Sequence, residues 1–205
     1  MNAIKMKFSA KGLLRRFWPT ALFLIALIIL YFFHTQFDLS YQRELVEDGQ
    51  WWRIVSGQLV HNNFAHLFPN MAALVLCRLL LIAGCSEREF IFNLLCCTLL
   101  TGVLIHILLR SYDYYLGISA VVYGMLFVGA VSLIRARHYW AWAVLLALVI
   151  KLLRDYYAPE TLAGVAARIG VPVAVEAHFV GVLAGVFTLC LSFALSFRMQ
   201  PNKQV

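Results

Sequence analysis

The chain has 205 residues, 62% hydrophobic and 13% charged, with a mean hydropathy of +0.80. A soluble domain carries about 45–50% apolar and about 25% charged residues, so the composition excludes a soluble globular protein and indicates a polytopic membrane protein. The formal net charge is +7, and its distribution along the chain, described below, assigns that excess to membrane topology rather than to a nucleic-acid partner.

Six stretches are apolar enough to span a bilayer, which takes about 20 mostly apolar residues: 18–37, 66–84, 90–109, 116–134, 139–153 and 174–197. The predicted fold class is therefore all-α, a six-helix membrane domain over 18–197 with a basic segment at 1–17 and a short tail at 198–205. The first run is long and lacks a small-residue cleavage site, so it reads as a retained helix rather than a cleaved signal peptide. Lys5, Lys7, Lys11, Arg15 and Arg16 precede it, and Arg88, Arg135, Arg137, Arg198 and Lys203 fall in the connections on the same side. Only Glu87 and Glu89 oppose them there, whereas the remaining eight carboxylates lie on the other side. The positive-inside rule then predicts that both termini are cytoplasmic.

Along the first connection, Trp51 and Trp52 read as interfacial anchors, and His61 lies shortly before the second span. That span opens with His66 and Asn70, spaced i, i+4 and hence on one helix face. His34, His106 and His138 fall near span ends and read as interfacial residues. The fourth span opens with "GISAVVYG", in which Ser119 and Tyr123 are again i, i+4. Lys151 and Arg154, near the outer end of the short fifth span, are expected to snorkel to the head groups. The next connection, "RDYYAPETLAGVAARIGVP", suits a mobile cap or an ordinary surface loop equally well. The sixth span opens with His178, followed by Gly181 and Gly185 in a GxxxG pattern that permits close helix approach. Cys77, Cys85, Cys96, Cys97 and Cys190 lie in or beside apolar runs, with neither disulfide nor zinc-ligand spacing, and read as small packing residues.

With the N-terminus inside, spans two, four and six all begin at the outer face. Their first turns bring histidine, asparagine and serine to one depth, where polar groups are costly and face a bundle interior or a wet cavity. A lone serine between glycines reads as readily as a packing residue, but this convergence favours chemistry. Serine becomes nucleophilic when a base takes its proton, and His178 is the base available on the face most able to approach the fourth span. Asn70, His66 and the first-turn amide of Ser119 are candidate donors for an oxyanion. Glu176 is two residues from His178 and so on another face, which leaves a Ser–His dyad rather than a triad. A zinc site on His61, His66 and His178 is disfavoured, because no HExxH is present and the first two are i, i+5. No metal or other cofactor is expected.

"HNNFAHLFPN", "GISAVVYG" and "AHFVGVLAG" resemble, in order, the three signatures of the rhomboid intramembrane serine proteases. The resemblance implies that Ser119 is the nucleophile and His178 its base, with His66, Asn70 and the Ser119 amide as the oxyanion site. It further implies that His61 supports the mouth of the site, that Tyr123 orients the His178 ring, and that Gly117, Gly181 and Gly185 allow close approach. Ala120 departs from the glycine usual after the nucleophile, and is the one feature supporting an alternative, an inactive relative that binds membrane helices. "GQWWRIVSGQLVHNNFAHLFPN" and "VAVEAHFVGVLAG" are similar to the rhombosortase branch. That branch implies a bacterial inner membrane, a site opening to the periplasm, and single-span substrates with a Gly-Gly tail.

Overall fold

The computed structural model describes residues 10–81 and 85–198. Lys5, Lys7, Gly84, Lys203 and the predicted tail beyond Arg198 lie outside the described residues. In chain order the elements are α1 (Ala10–His34), β1 (Tyr41–Gln42), α2 (Arg43–Glu47), α3 (Arg53–Leu59), α4 (Phe64–Leu81), α5 (Glu87–Leu108), β2 (Tyr114–Tyr115), α6 (Ser119–Arg135), α7 (Ala141–Tyr157), a 3-10 turn (Pro159–Leu162), α8 (Ala163–Ile169) and α9 (Val175–Arg198). Helix dominates and the only sheet among the described residues is the two-residue antiparallel pair β1–β2, in which Tyr41 faces Tyr115 and Gln42 faces Tyr114.

Each predicted span coincides with a helix, and the differences at their ends have local causes. Helix α5 starts at Glu87 rather than at residue 90, because Ser86 and Glu89 form a capping box that makes the charged turn helical. Helix α6 starts at Ser119 rather than at residue 116, because Gly117 has φ +111°, a left-handed conformation that no helix continues through. Helix α7 runs past its apolar stretch to Tyr157, carried by the i, i+4 pair of Lys151 and Asp155.

Helices α1, α4, α5 and α9 contain windows long and apolar enough to cross a membrane: Phe17–His34, Phe64–Leu81, Glu87–Leu108 and Val175–Leu195. Helices α6 and α7 are shorter, 17 residues each, which at about 1.5 Å per residue is about 25 Å against a hydrocarbon core of about 30 Å.

Helix α6 is central and packs on α4, α5, α7 and α9. Its closest neighbour is α9, and the approach is made by glycine. A Cβ on Gly181 would stand 1.9 Å from the Ala120 carbonyl oxygen, and one on Gly185 would stand 2.7 Å from that of Gly124. One apolar cluster lies between α1, α4, α5 and α6, including Leu27, Leu74, Phe90, Val121 and Met125. A second, with Tyr41, Ile54, Ile105, Tyr115, Ala120, Ala177 and Val180, ties the first connection to the tops of α5, α6 and α9. Of the cysteines, all free, Cys77, Cys85 and Cys97 are buried, Cys96 is half-buried and Cys190 is exposed.

The two long connections, α1 to α4 and α7 to α9, are structured. Helix α3 is pressed onto α5, where a Cβ on Gly102 would meet the Ile54 carbonyl oxygen at 2.1 Å. Arg43 donates to the carbonyls of His106 and Leu109 at 3.0 and 2.8 Å, capping the last turn of α5. The connection between α7 and α9 folds as the 3-10 turn and α8, which Gly170 ends in a left-handed C-cap. Asn62 and Asn63 hold it, their amide nitrogens donating to the carbonyls of Ile169 and Arg168, each at 3.0 Å.

Candidate active site

Ser119 is the first residue of α6, so its amide has no acceptor within the helix. The segment leading into it is clasped from both sides. The Gly117 amide donates to the Gly57 carbonyl at 2.9 Å, and the buried Tyr115 hydroxyl donates to the Gly117 carbonyl at 2.9 Å. Position 117 has room only for glycine, since a Cβ there would meet Cε1 and Nε2 of His66 at 2.8 Å. That contact brings His66 against the turn that presents Ser119.

His178, in the first turn of α9, is 5% exposed. Its Nε2 lies 3.1 Å from Ser119 Oγ, within hydrogen-bond reach. The ring of Tyr123 stacks on that of His178 at 4.3 Å between centroids and 8° between planes, which fixes the imidazole's tilt. The close α6–α9 approach at Gly181 is what allows a side chain on one helix to reach the other. Ala120 is fully buried, and its methyl belongs to the apolar cluster with Tyr41, Ile54, Tyr115 and Val180.

Around this pair the other candidates divide. His61 is completely buried, edge-on to His66 at 4.9 Å. Burial, reinforced by His66, pushes the His61 imidazole down to about 3, so it stays neutral at any physiological pH. Asn70 turns back on its own helix, its amide nitrogen donating to the His66 carbonyl at 3.1 Å, which leaves its second N–H for another acceptor. Pro69 lies inside α4 and has no amide to give the carbonyl four residues back, so this turn of α4 is polar and open in its backbone. Glu176 faces away from the dyad and accepts from the Tyr112 hydroxyl at 2.5 Å. Among the described residues no group of three or more His, Cys, Asp or Glu side chains could hold a metal ion.

One pair escaped the sequence reading. Lys151 and Arg154 are both exposed, and both pair with Asp155, whose side chain is 1% exposed. The signal was present: a carboxylate four residues after a lysine, on an apolar helix, is costly unless it serves something. Tyr115 was missed as well, because its hydroxyl acts on the backbone of the motif, which no spacing rule reveals.

The family model of the Rhomboid domain matches residues 48–195, from before α3 to near the end of α9. No curated protein matches the chain.

Proposed function

The chain belongs to the rhomboid family, and we propose that it is an intramembrane serine endopeptidase with Ser119 as nucleophile and His178 as general base. The observation that carries this reading is the 3.1 Å contact between His178 Nε2 and Ser119 Oγ, made by two side chains of different helices with the base held by Tyr123. In the proposed reaction His178 takes the Ser119 proton as Oγ attacks a peptide carbonyl. The negative charge that develops on the carbonyl oxygen is met by the Ser119 amide, His66 and the free N–H of Asn70. His178 then gives its proton to the departing amine, and a water deprotonated by the same imidazole hydrolyses the acyl-enzyme.

The proposed setting is a six-span domain with both termini in the cytoplasm of a bacterium and the dyad opening to the periplasmic side of the inner membrane. The substrate would be a single-span membrane protein cut near its outer boundary. Backbone groups in lipid must be paired internally, so a segment that unwinds readily, such as the Gly-Gly tail processed by rhombosortases, suits the site.

Labelling by a fluorophosphonate, with the adduct mapped by mass spectrometry, tests the assignment. The expected adduct is on Ser119 and is absent from Ser119→Ala and His178→Ala, both of which still accumulate in the membrane. Cleavage of a co-expressed substrate should fall by at least about 1,000-fold in either variant. Equal cleavage by wild type and both variants would sink the proposal, and a wild type that neither labels nor cleaves would favour the inactive relative.

A further inference from the structure

The end of α6 away from Ser119 leads into a turn that carries a residue its backbone disfavours. Helix α6 ends at Arg135 and α7 begins at Ala141. Between them the chain closes a Schellman motif: the His138 amide donates to the Leu133 carbonyl and the Arg137 amide to the Ile134 carbonyl, each at 2.9 Å. The left-handed position of that motif is normally glycine, because a Cβ is crowded there. Here Arg137 holds it at φ +64°, the one residue other than glycine with a positive φ among the described residues. Arg135 and Arg137 are both exposed, and the Arg135 guanidinium lies over the Phe193 ring of α9, 3.7 Å from its centroid. Neither guanidinium has a carboxylate partner among the described residues. Helix α6, α7 up to Asp155 and α9 beyond Glu176 contain no Asp or Glu. At this end of the bundle the carboxylates are Glu87 and Glu89 in the first turn of α5, and Glu89 is held in the capping box with Ser86. Tyr139, Trp140 and Trp142, all exposed, follow the two arginines directly.

We propose that the α6–α7 turn is a binding site for an anionic phospholipid, with Arg135 and Arg137 on the phosphate of its headgroup. The turn joins two apolar helices of a membrane bundle, so the layer it meets is that of the headgroups, and exposed Tyr and Trp rings settle at that level. A guanidinium offers a planar fork of donors that fits phosphate oxygens two at a time. Phe193 covers one face of the Arg135 guanidinium and fixes its plane, while its N–H groups have no protein partner among the described residues. Two unopposed cations attract an anionic headgroup and disfavour one that carries its own ammonium. Membrane topology requires basic residues only somewhere in a connection. It does not require one at the single position where glycine would relieve the backbone, and strain of that kind is kept where the side chain is used. The site is independent of the dyad and of which face of the membrane the turn occupies.

The test is lipid retention by the full-length protein, purified in a neutral detergent and offered phosphatidylglycerol or phosphatidylcholine, for wild type, R137G, R135Q and the double variant. Native mass spectrometry counts the lipids kept, and heating gives the temperature of aggregation with and without lipid. Wild type should keep phosphatidylglycerol in preference to phosphatidylcholine. Each single variant should lower the apparent affinity for phosphatidylglycerol by about fivefold, and the double variant should show no preference. R137G separates ligand from fold, because glycine suits the left-handed turn. Without lipid it should resist heat at least as well as wild type, yet gain less from phosphatidylglycerol. Equal retention of phosphatidylglycerol by wild type and the double variant would overturn the proposal, as would a wild type that treats the two lipids alike. An R137G protein that is less heat-resistant than wild type without lipid overturns it too, since Arg137 would then serve the turn itself. If R135Q fails to accumulate after losing its contact with Phe193, R137G alone decides.

Discussion

Tyr123 holds the His178 ring by its flat face, and Gly117 gives the turn before Ser119 its shape by having no side chain. The stack with His178 is nearly parallel at 8°, so Tyr123→Ala should let the imidazole swing. Misplacement of about 1 Å costs about 100-fold; the cleavage rate of this variant should fall by about 10- to 100-fold, while Tyr123→Phe keeps the stack and most of the rate. Gly117→Ala faces two penalties, a φ of +111° and a Cβ 2.8 Å from the His66 ring. It should lose about 1–3 kcal/mol of stability, read as a lower temperature of aggregation in detergent, together with most of its labelling. The candidate residues Ser119, Tyr123, His66 and Asn70 were legible in sequence because they sit at helical spacing, and the contact of Ser119 with His178 agrees with placing both at one depth. The bond from Tyr115 to the Gly117 carbonyl was not, because it depends on where β2 meets the start of α6.

At the level of elements, the α6–α9 contact and the α8 tether make different demands. Gly181→Val would drive a side chain into the Ala120 carbonyl, 1.9 Å from its Cβ, forcing the helices apart. The expected loss is at least about 1–3 kcal/mol, measured by survival of the monodisperse protein after heating. Gly164→Ala is the control: nothing lies within 4 Å of its Cβ, and its effect should stay within about 0.5 kcal/mol. Helix α8 is held through Asn62 and Asn63. Replacing both with alanine should speed hydrogen exchange over 163–170 and leave exchange in α6 and α9 unchanged. Unchanged exchange across 163–170 would show that the two bonds do not hold the segment. The sequence left this connection open between a mobile cap and an ordinary surface loop; its helix is held against the start of α4.

For the whole molecule, charge asymmetry is the argument for orientation, and the described helices supply the rest. Ten basic residues on one side against two acids predict that a fluorescent reporter requiring the cytoplasm lights up when fused at either end of the chain. The same reporter placed between α5 and α6 should stay dark; the reverse pattern would invert the proposed topology and move the dyad to the cytoplasmic side. The 17-residue α6 matters here, since a short central helix entered through the clasped Tyr115–Gly117 turn suits the proposed placing of Ser119 below the ends of its longer neighbours.

Composition and three ordered motifs were enough to read from the sequence a helical membrane protein and its rhomboid family, and to name the residues of a candidate dyad. These properties are local or additive: hydropathy sums along a span, and a helix repeats every 3.6 residues wherever it lies. Only the tertiary structure decided that Ser119 starts a helix, that Ala120 is absorbed by an apolar cluster, and that His178 comes within hydrogen-bond reach of Ser119. Each of these depends on which helix lies beside which and how near their backbones come. No period within one segment encodes a distance between two.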